Sequence, residues 1–325
     1  SILQFNLIQL NICHLSATSI QLFSESINSP VTEIIGGLPG NVRLWLKRDD
    51  LIHPALSGNK WRKLKYNLLN AEQNNQKTLI TKGGAFSNHI YATAAAAREV
   101  GLASMGIIRG ELLDAQNPTL SYARSAGMTL LGISREDYRE KNEAAFLESL
   151  RKQFGDFYLI PEGGTNALAI QGTREILTAS HSEFSHVLTP IGTGGTFAGV
   201  ASSLLPHQQL LGISALKGEG IREEMTDLLK REGIHSRGSL EVLTQYHQGG
   251  YAKWTPELID FIHWFWDAFG IPLDPIYTGK MAFACWDLLQ KNYFPPGSRI
   301  LLIHTGGLQG NRGFTQRTGI ALPSL

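Results

Sequence analysis

Along the chain, apolar positions switch repeatedly between short strand-like runs and helical spacing. Val42-Arg43-Leu44-Trp45-Leu46-Lys47 alternates as a strand does, and Leu64, Leu68 and Leu69 then recur at the spacing of a helix face. The exchange continues. Strands are predicted at Thr78–Thr81, Ser104–Ile108, Met128–Ile133 and Phe157–Ile160. Helices are predicted at Asn88–Val100, Leu120–Ala126 and Glu136–Phe154. A helix over Ala169–Ala179, a strand at His186–Ile191, a helix ending at Leu205 and a strand at Leu210–Ala215 follow. Pro256–Phe269 and Lys280–Gln290 read as helices, and Arg299–His304 as a late apolar strand. Strands alternating with helices imply right-handed βαβ units, hence an α/β protein with mostly parallel twisted sheets flanked by helices. Neither an internal repeat nor a low-complexity linker interrupts the pattern.

One helix stands out. Phe261, Trp264, Phe265 and Ala268 follow i, i+3, i+4, i+7 spacing, which points to core or subunit contact. Trp266 and Phe269 lie on other faces, so this helix is expected to be enclosed on more than one side.

The 325 residues are 42% hydrophobic and 18% charged, enough for a full core and more than one lobe. The formal net charge is +1, which gives no electrostatic case for nucleic acid or an anionic membrane as partner. Lys60, Arg62, Lys63 and Lys65 cluster, and as a short helix face they are expected to be solvated. Cys13 and Cys285 are too far apart for a CxxC pair and fit a reducing compartment, with the cytoplasm as default. The histidines show no metal-ligand spacing, so no metal site is expected. Ser1 to Ser16 lacks the basic start and small-residue cleavage site of a leader, and no apolar run approaches membrane-spanning length.

Candidate chemistry lies at strand-to-helix turns. Ser57-Gly58-Asn59-Lys60 places a lysine at a glycine-flanked turn, suited to a Schiff base with a carbonyl compound such as pyridoxal phosphate. A solvated helix-end cation is the plain alternative. Gly192-Thr193-Gly194-Gly195-Thr196 offers backbone N–H groups and hydroxyls to an anion, though a tight turn would also explain the glycines. It matches neither GxxxxGK[ST] nor a GxGxxG with a placed acid, which speaks against a nucleotide-binding dehydrogenase. Ser87 and Asn88, before His89, would cap a helix or grip a substrate carboxylate. Tyr277 precedes a helix, and Thr305 and Gly306 end an apolar strand.

In this order the motifs resemble the pyridoxal-phosphate enzymes of the tryptophan-synthase β-like fold (fold type II). The nearest branch is that of D-cysteine desulfhydrase and 1-aminocyclopropane-1-carboxylate deaminase. The matching stretches are Leu46 to Leu51, Ser57 to Lys60, Gly83-Gly84 with Ser87 to His89, and Pro161 to Asn166. Gly192 to Thr196, Asp274 to Lys280 and His304 to Gly307 complete the set. The resemblance implies two lobes: residues 1–61 with 172–325 as the larger, cofactor-binding one, and 62–171 as a smaller inserted one. It implies a homodimer, a small amino-acid substrate and pyridoxal 5'-phosphate held by Lys60. Gly192, Thr193, Gly194, Gly195 and Thr196 would hold the phosphate, Asn88 the ring oxygen, and Thr305 would face the pyridine nitrogen. Ser87, Asn88 and His89 would receive the substrate carboxylate, and Tyr277 with Tyr251 would handle protons.

The implied reaction is elimination of sulfide from D-cysteine or a related small D-amino acid, giving pyruvate and ammonia. Deamination of 1-aminocyclopropane-1-carboxylate is the alternative, and a non-catalytic cofactor- or amino-acid-binding protein is the reading of another class. The deaminase has glutamate after the tyrosine where this chain has Thr278, and with Thr305 also neutral the desulfhydrase reading is favoured. On that logic Thr278→Glu is expected to confer deaminase activity. The resemblance departs at Ala252 and Lys253, whose bulk is expected to shift Tyr251 or narrow the pocket, and is thin over Leu205–Tyr246.

Overall fold

The computed structural model describes residues 22–23, 27–36, 38, 41–111, 113–139 and 143–324. The reading of Ser1 to Ser16, and Cys13 with it, lies outside them. Two sheets organise the chain. The larger holds β1 (Val31–Ile34), β2 (Arg43–Lys47), β7 (His186–Ile191), β8 (Gln209–Ser214), β9 (Ser239–Leu243) and β10 (Arg299–Ile303), in the order β1-β2-β10-β7-β8-β9. Its pairs are parallel except β1 with β2. The smaller holds β3 (Thr78–Gly84), β4 (Ala103–Arg109), β5 (Met128–Ile133) and β6 (Tyr158–Ile160), all parallel, in the order β5-β4-β3-β6.

Ten α-helices among the described residues connect and cover these strands. They are α1 (Asn59–Gln73), α2 (Asn88–Val100), α3 (Pro118–Ser125), α4 (Glu143–Phe154), α5 (Ala167–Arg174), α6 (Gly195–Ala201), α7 (Gly220–Arg231), α8 (Pro256–Phe269), α9 (Thr278–Gln290) and α10 (Gly310–Thr318). The central strands of the larger sheet are apolar on both faces because both faces are covered. Leu44, Leu46, Ile300 and Leu302 face α8 and α9, while Trp45, Leu301 and Ile303 pack with residues of α5, α6 and α7.

The predicted alternation is present, with differences at its edges. The expected helix over Glu136–Phe154 is a 3-10 turn at Asp137–Arg139 and then α4, with residues 140–142 outside the described set. β1, α7, β9 and α10 were not anticipated. β1 and β9 are the sheet's edge strands, only partly buried, so their sequences carry little apolar signal. In α8 the buried stripe is Leu258, Ile259, Ile262 and Phe265 rather than the predicted Phe261, Trp264, Phe265 and Ala268. Only Phe265 is common to both. Phe261 and Trp264 sit on the flank in an aromatic cluster with Phe269 and Trp286, and Ala268 is exposed.

Candidate active site

Each sheet has one place where the chain reverses the direction in which it adds strands. In the larger sheet this falls between β10 and β7, and in the smaller between β3 and β6. Loops leaving the carboxyl ends of strands diverge at such points and leave a crevice. The four loops after β7, β10, β3 and β6 meet around one cleft of about 270 Å³. Its lining includes Lys60, Ser87, Asn88, His89, Gly192, Thr193, Gly194, Thr196, Tyr251, Tyr277 and Thr305. Gly195, the one predicted site residue outside that lining, is buried at the start of α6.

Lys60 enters through a tight junction. Gly58 has φ +65°, and a Cβ there would stand 2.0 Å from the Thr305 carbonyl oxygen. Asn59 N donates to that same oxygen at 3.2 Å, so the start of α1 is pressed against the exit of β10. Lys60 Nζ donates to the Gly163 carbonyl at 3.3 Å, and burial lowers its ammonium to about 8.

The basic cluster around Lys60 is not a solvated face. Arg62 and Lys63 are buried, and Lys65 pairs with Glu175 at 2.8 Å. Arg62 grips the buried Asp49 through Nε at 2.5 Å and Nη2 at 2.9 Å. Burial would raise the Asp49 carboxyl, but Arg62, Lys47 and Ser29 together hold it below its usual value. Lys63 turns into the glycine loop, donating to Gly163 O at 3.0 Å, Thr165 Oγ1 at 3.1 Å and Thr193 Oγ1 at 3.3 Å. Burial, and then the neighbouring Lys60, push its ammonium well below the ordinary range. Sequence reasoning missed Lys63 as a site residue, and its spacing three residues after Lys60 was the available signal. It also passed over Asn59, whose Nδ2 donates to Thr196 Oγ1 at 2.8 Å.

At the start of α2, Ser87 is the N-cap, its Oγ accepting from His89 N at 3.2 Å and Ile90 N at 3.3 Å. Both accepted bonds use its lone pairs, so its own proton remains to be donated into the cleft. Asn88 Oδ1 accepts from Gln309 Nε2 at 2.9 Å, and its Nδ2 lies where a Cβ on Gly307 would be 2.7 Å away. His89 is buried, its Nε2 lies 2.9 Å from Thr81 Oγ1, and its ring packs under Gly164. Burial first, then Lys60 and Lys63, hold this imidazole well below its ordinary pKa, so it is neutral near pH 7.

Tyr277 stands where α9 begins, its ring edge against Gly192, where a Cβ would meet Cε1 at 3.0 Å. Burial, with Tyr251 and Asp274 close by, raises its phenol well above the usual value. It is therefore a proton donor rather than a base. Tyr251 reaches the cleft despite Ala252 and Lys253, its ring 6.3 Å from that of Tyr277. Ala252 takes φ +56°, a left-handed backbone that its Cβ strains, while Tyr251 lines the cleft. Thr278 is not in the cleft lining. Its fully buried hydroxyl donates to Asp274 Oδ2 at 2.6 Å.

The family model described as pyridoxal-phosphate dependent enzyme matches residues 29–306. The chain belongs to this pyridoxal-phosphate dependent enzyme family. A bifunctional D-cysteine desulfhydrase/1-aminocyclopropane-1-carboxylate deaminase, mitochondrial, of Arabidopsis thaliana is 32% identical over 84% of this chain and 74% of that protein. A D-cysteine desulfhydrase of Yersinia pestis is 30% identical over 81% of this chain and 86% of that protein. Among solved structures, an ACC deaminase homologue superposes with a TM-score of 0.73 at 26% identity, covering 93% of this chain and 98% of that one. The fold of this pyridoxal-phosphate dependent enzyme is thus the two-sheet α/β arrangement that its motifs imply.

The cleft fits that cofactor. A Cβ at Gly194 would strike Met225 at 2.4 Å, and one at Gly195 would approach Thr165 Oγ1 at 2.8 Å and Lys63 Nζ at 3.1 Å. A larger residue at 194 would collide with Met225 and Leu228 of α7 and one at 195 with Thr165 and Lys63, so both positions keep a bare backbone. Bare backbone N–H groups beside two hydroxyls and the Lys63 amine, whose charged form a bound phosphate would favour, are a donor set for phosphate. Lys60 lines the same cavity. Among the described residues no group of three His, Cys, Asp or Glu is gathered for a metal, and no helix is long and apolar enough to cross a membrane.

Proposed function

We propose that this pyridoxal-phosphate dependent enzyme is a lyase that takes up water and eliminates sulfide from D-cysteine or a closely related small D-amino acid, releasing pyruvate and ammonia. One observation carries the reading: an amine lowered to about 8 at Lys60 and a protonated phenol at Tyr277 line the same cleft. Elimination across Cα and Cβ needs a base and an acid so placed. The relatives that bear this activity in their names support the substrate class.

The cofactor, when bound, supplies an electron sink for charge developing at Cα. Gly192, Thr193, Gly194, Gly195 and Thr196 would hold its phosphate, with Lys63 as countercharge; Asn88 would serve the ring oxygen and Thr305 the ring nitrogen. Ser87 donates its hydroxyl proton to the substrate carboxylate, with Asn88 beside it and His89 as the neutral floor beneath. Lys60 accepts the α-proton. Tyr277 delivers a proton to the departing sulfur, and Tyr251 relays between Tyr277 and solvent.

Deamination of 1-aminocyclopropane-1-carboxylate, the second activity in the plant relative's name, is the alternative. That substrate has no α-hydrogen for Lys60 to take, and a neutral threonine at position 305 leaves the weaker sink. The reading includes an inserted lobe of residues 62–171, supported by a sheet drawn from strands β3 to β6. It also includes a homodimer in the cytoplasm, supported by the half-exposed aromatic cluster around Trp264 and by a free, buried Cys285. Sedimentation at twice the chain mass is the expected result.

The deciding experiment is a visible absorbance spectrum of the purified protein before and after D-cysteine. A band that shifts while sulfide and pyruvate appear supports the reading. A band indifferent to D-cysteine, with 2-oxobutyrate formed from 1-aminocyclopropane-1-carboxylate, selects the alternative. A band with no turnover of any amino acid selects a binding protein.

A further inference from the structure

Tyr251 sits on a loop, His247 to Trp254, of unusual backbone. Gln248, Gly249, Gly250 and Ala252 all have positive φ. The loop is partly self-supporting. Gly249 N donates to His247 Nδ1 at 2.9 Å, Gly250 N to His247 O at 2.9 Å, and Lys253 N to Gly250 O at 3.1 Å. Thr255 Oγ1 at the start of α8 donates to Gln248 Oε1 at 2.7 Å, and Trp254 packs on Phe314 of α10 at 5.6 Å. The backbone beside Tyr251 is tied from α9, where Lys280 Nζ donates to the Gly250 carbonyl at 2.8 Å.

Lys280 lies one turn beyond Tyr277 in α9 and is 1% exposed. Burial lowers its ammonium to about 8, and Asp274 opposes this through space. Desolvating an ammonium to serve a single main-chain carbonyl is costly, and an apolar side chain of the same length would fill the space without that cost. The tie therefore has a use other than stability. Gly250 is the residue before Tyr251, and Lys280 shares a helix start with Tyr277, whose ring is 6.3 Å from that of Tyr251.

We propose that Lys280 is a positioning residue, tying the Tyr251 loop to the helix that carries Tyr277 so that both phenols face the cleft as one pair. The proposal rests on the reading of Tyr277 and Tyr251 as proton-handling groups. Lys280 itself is absent from the cleft lining, so it acts through the loop.

The test uses the holoenzyme and four variants: Lys280→Met, Lys280→Arg, Tyr251→Phe, and Lys280→Met combined with Tyr251→Phe. Lys280→Met is expected to lower kcat about tenfold, since small misplacements of reacting groups are expensive, while KM stays within about threefold. Lys280→Arg, which keeps a donor, is expected to recover most of that loss. In the Tyr251→Phe background, adding Lys280→Met should change kcat by less than about twofold, because the residue it positions is already gone. Losses that simply multiply would overturn the proposal. Independently of turnover, trypsin should cut after the exposed Lys253 about tenfold faster in Lys280→Met than in the parent, as a released loop opens locally. Equal cutting rates would also overturn it. If Lys280→Met does not accumulate folded, Lys280→Gln carries the same comparisons. If no amino acid is turned over, the functional reading fails and the cleavage rates alone decide the tie.

Discussion

Lys60 and Lys63 stand one helical turn apart, and burial lowers both, but their partners divide the labour. Lys60 meets one carbonyl and lines open space, whereas Lys63 is enclosed by a carbonyl and two hydroxyls at the glycine loop. Only the neutral amine of Lys60 can attack a carbonyl compound, and its ammonium is lowered to about 8. Loading of apoprotein with pyridoxal phosphate should therefore be slow below that pH and rise through it, levelling above. A rate that is flat between pH 7 and 9 would contradict the lowered value. The position after Tyr277 corrects an expectation. Thr278 is buried on the Asp274 carboxylate, so Thr278→Glu places a second carboxylate beside the first instead of an acid in the cleft. Like charges in a buried site are strongly unfavourable. The variant should lose thermal stability and gain no deaminase activity, which melting curves and a 2-oxobutyrate assay would check. The glycine-flanked lysine was legible as a motif. The burial of Lys63 and Thr278 was not, since a helix position becomes interior only when another element covers it.

Helices α1, α5 and α6 meet backbone to backbone. A Cβ on Gly172 of α5 would stand 1.9 Å from the Arg62 carbonyl oxygen of α1, and one on Gly199 of α6 would stand 2.1 Å from Thr173 Oγ1 of α5. These two contacts fix α1, which carries Lys60 and Lys63, against α6, which opens from the glycine loop. Neither glycine has positive φ, so the cost of a side chain there is purely steric. Gly172→Ala should push α1 outward, lower the melting temperature by several degrees and weaken cofactor affinity. Overpacking of this kind typically costs about 1–3 kcal/mol. Wild-type affinity in a folded Gly172→Ala protein would show that the α1–α5 contact does not position the site. In sequence, Gly172 and Gly199 are isolated glycines inside helical patterns. Nothing local says which neighbour approaches them.

The two sheets are joined through buried charge and packed helices rather than through flexible linkers. The expected lobe limits at residues 61/62 and 171/172 fall inside α1 and α5, which pack on each other through Gly172. Asp49, on the turn after β2, accepts both bonds from Arg62 of α1 and one from Ser29, while Lys47 lies 3.8 Å away. Asp49→Ala would leave the Arg62 guanidinium buried without its partner, a loss of about 3–5 kcal/mol in comparable cases. The wild-type contribution should be present above the unfolded carboxyl pKa near 4 and vanish as pH falls through the lower folded value. Urea unfolding of both proteins at neutral and acid pH would measure it. A difference that persists unchanged into acid would count against the ion pair as its source.

By itself the sequence determined the α/β alternation, because parallel strands buried on both faces must read as short apolar runs. It also carried the cofactor chemistry, not in any one motif, since a solvated cation or a tight turn explains each alone, but in the order of the whole set, which resembles a pyridoxal-phosphate family. The edge strands β1 and β9 escaped it, being too little buried to leave a pattern. Only the tertiary structure decided which turns converge. The reversals of strand order at β10/β7 and β3/β6 bring together loops far apart in the chain, those after β7 and β10 by more than a hundred residues, and no local signal encodes that order. The same convergence buries Lys63, seats His89 beneath Gly164 and brings Tyr251 beside Tyr277. Burial is a property of the assembled chain, and here it sets the protonation of Lys60, His89 and Tyr277.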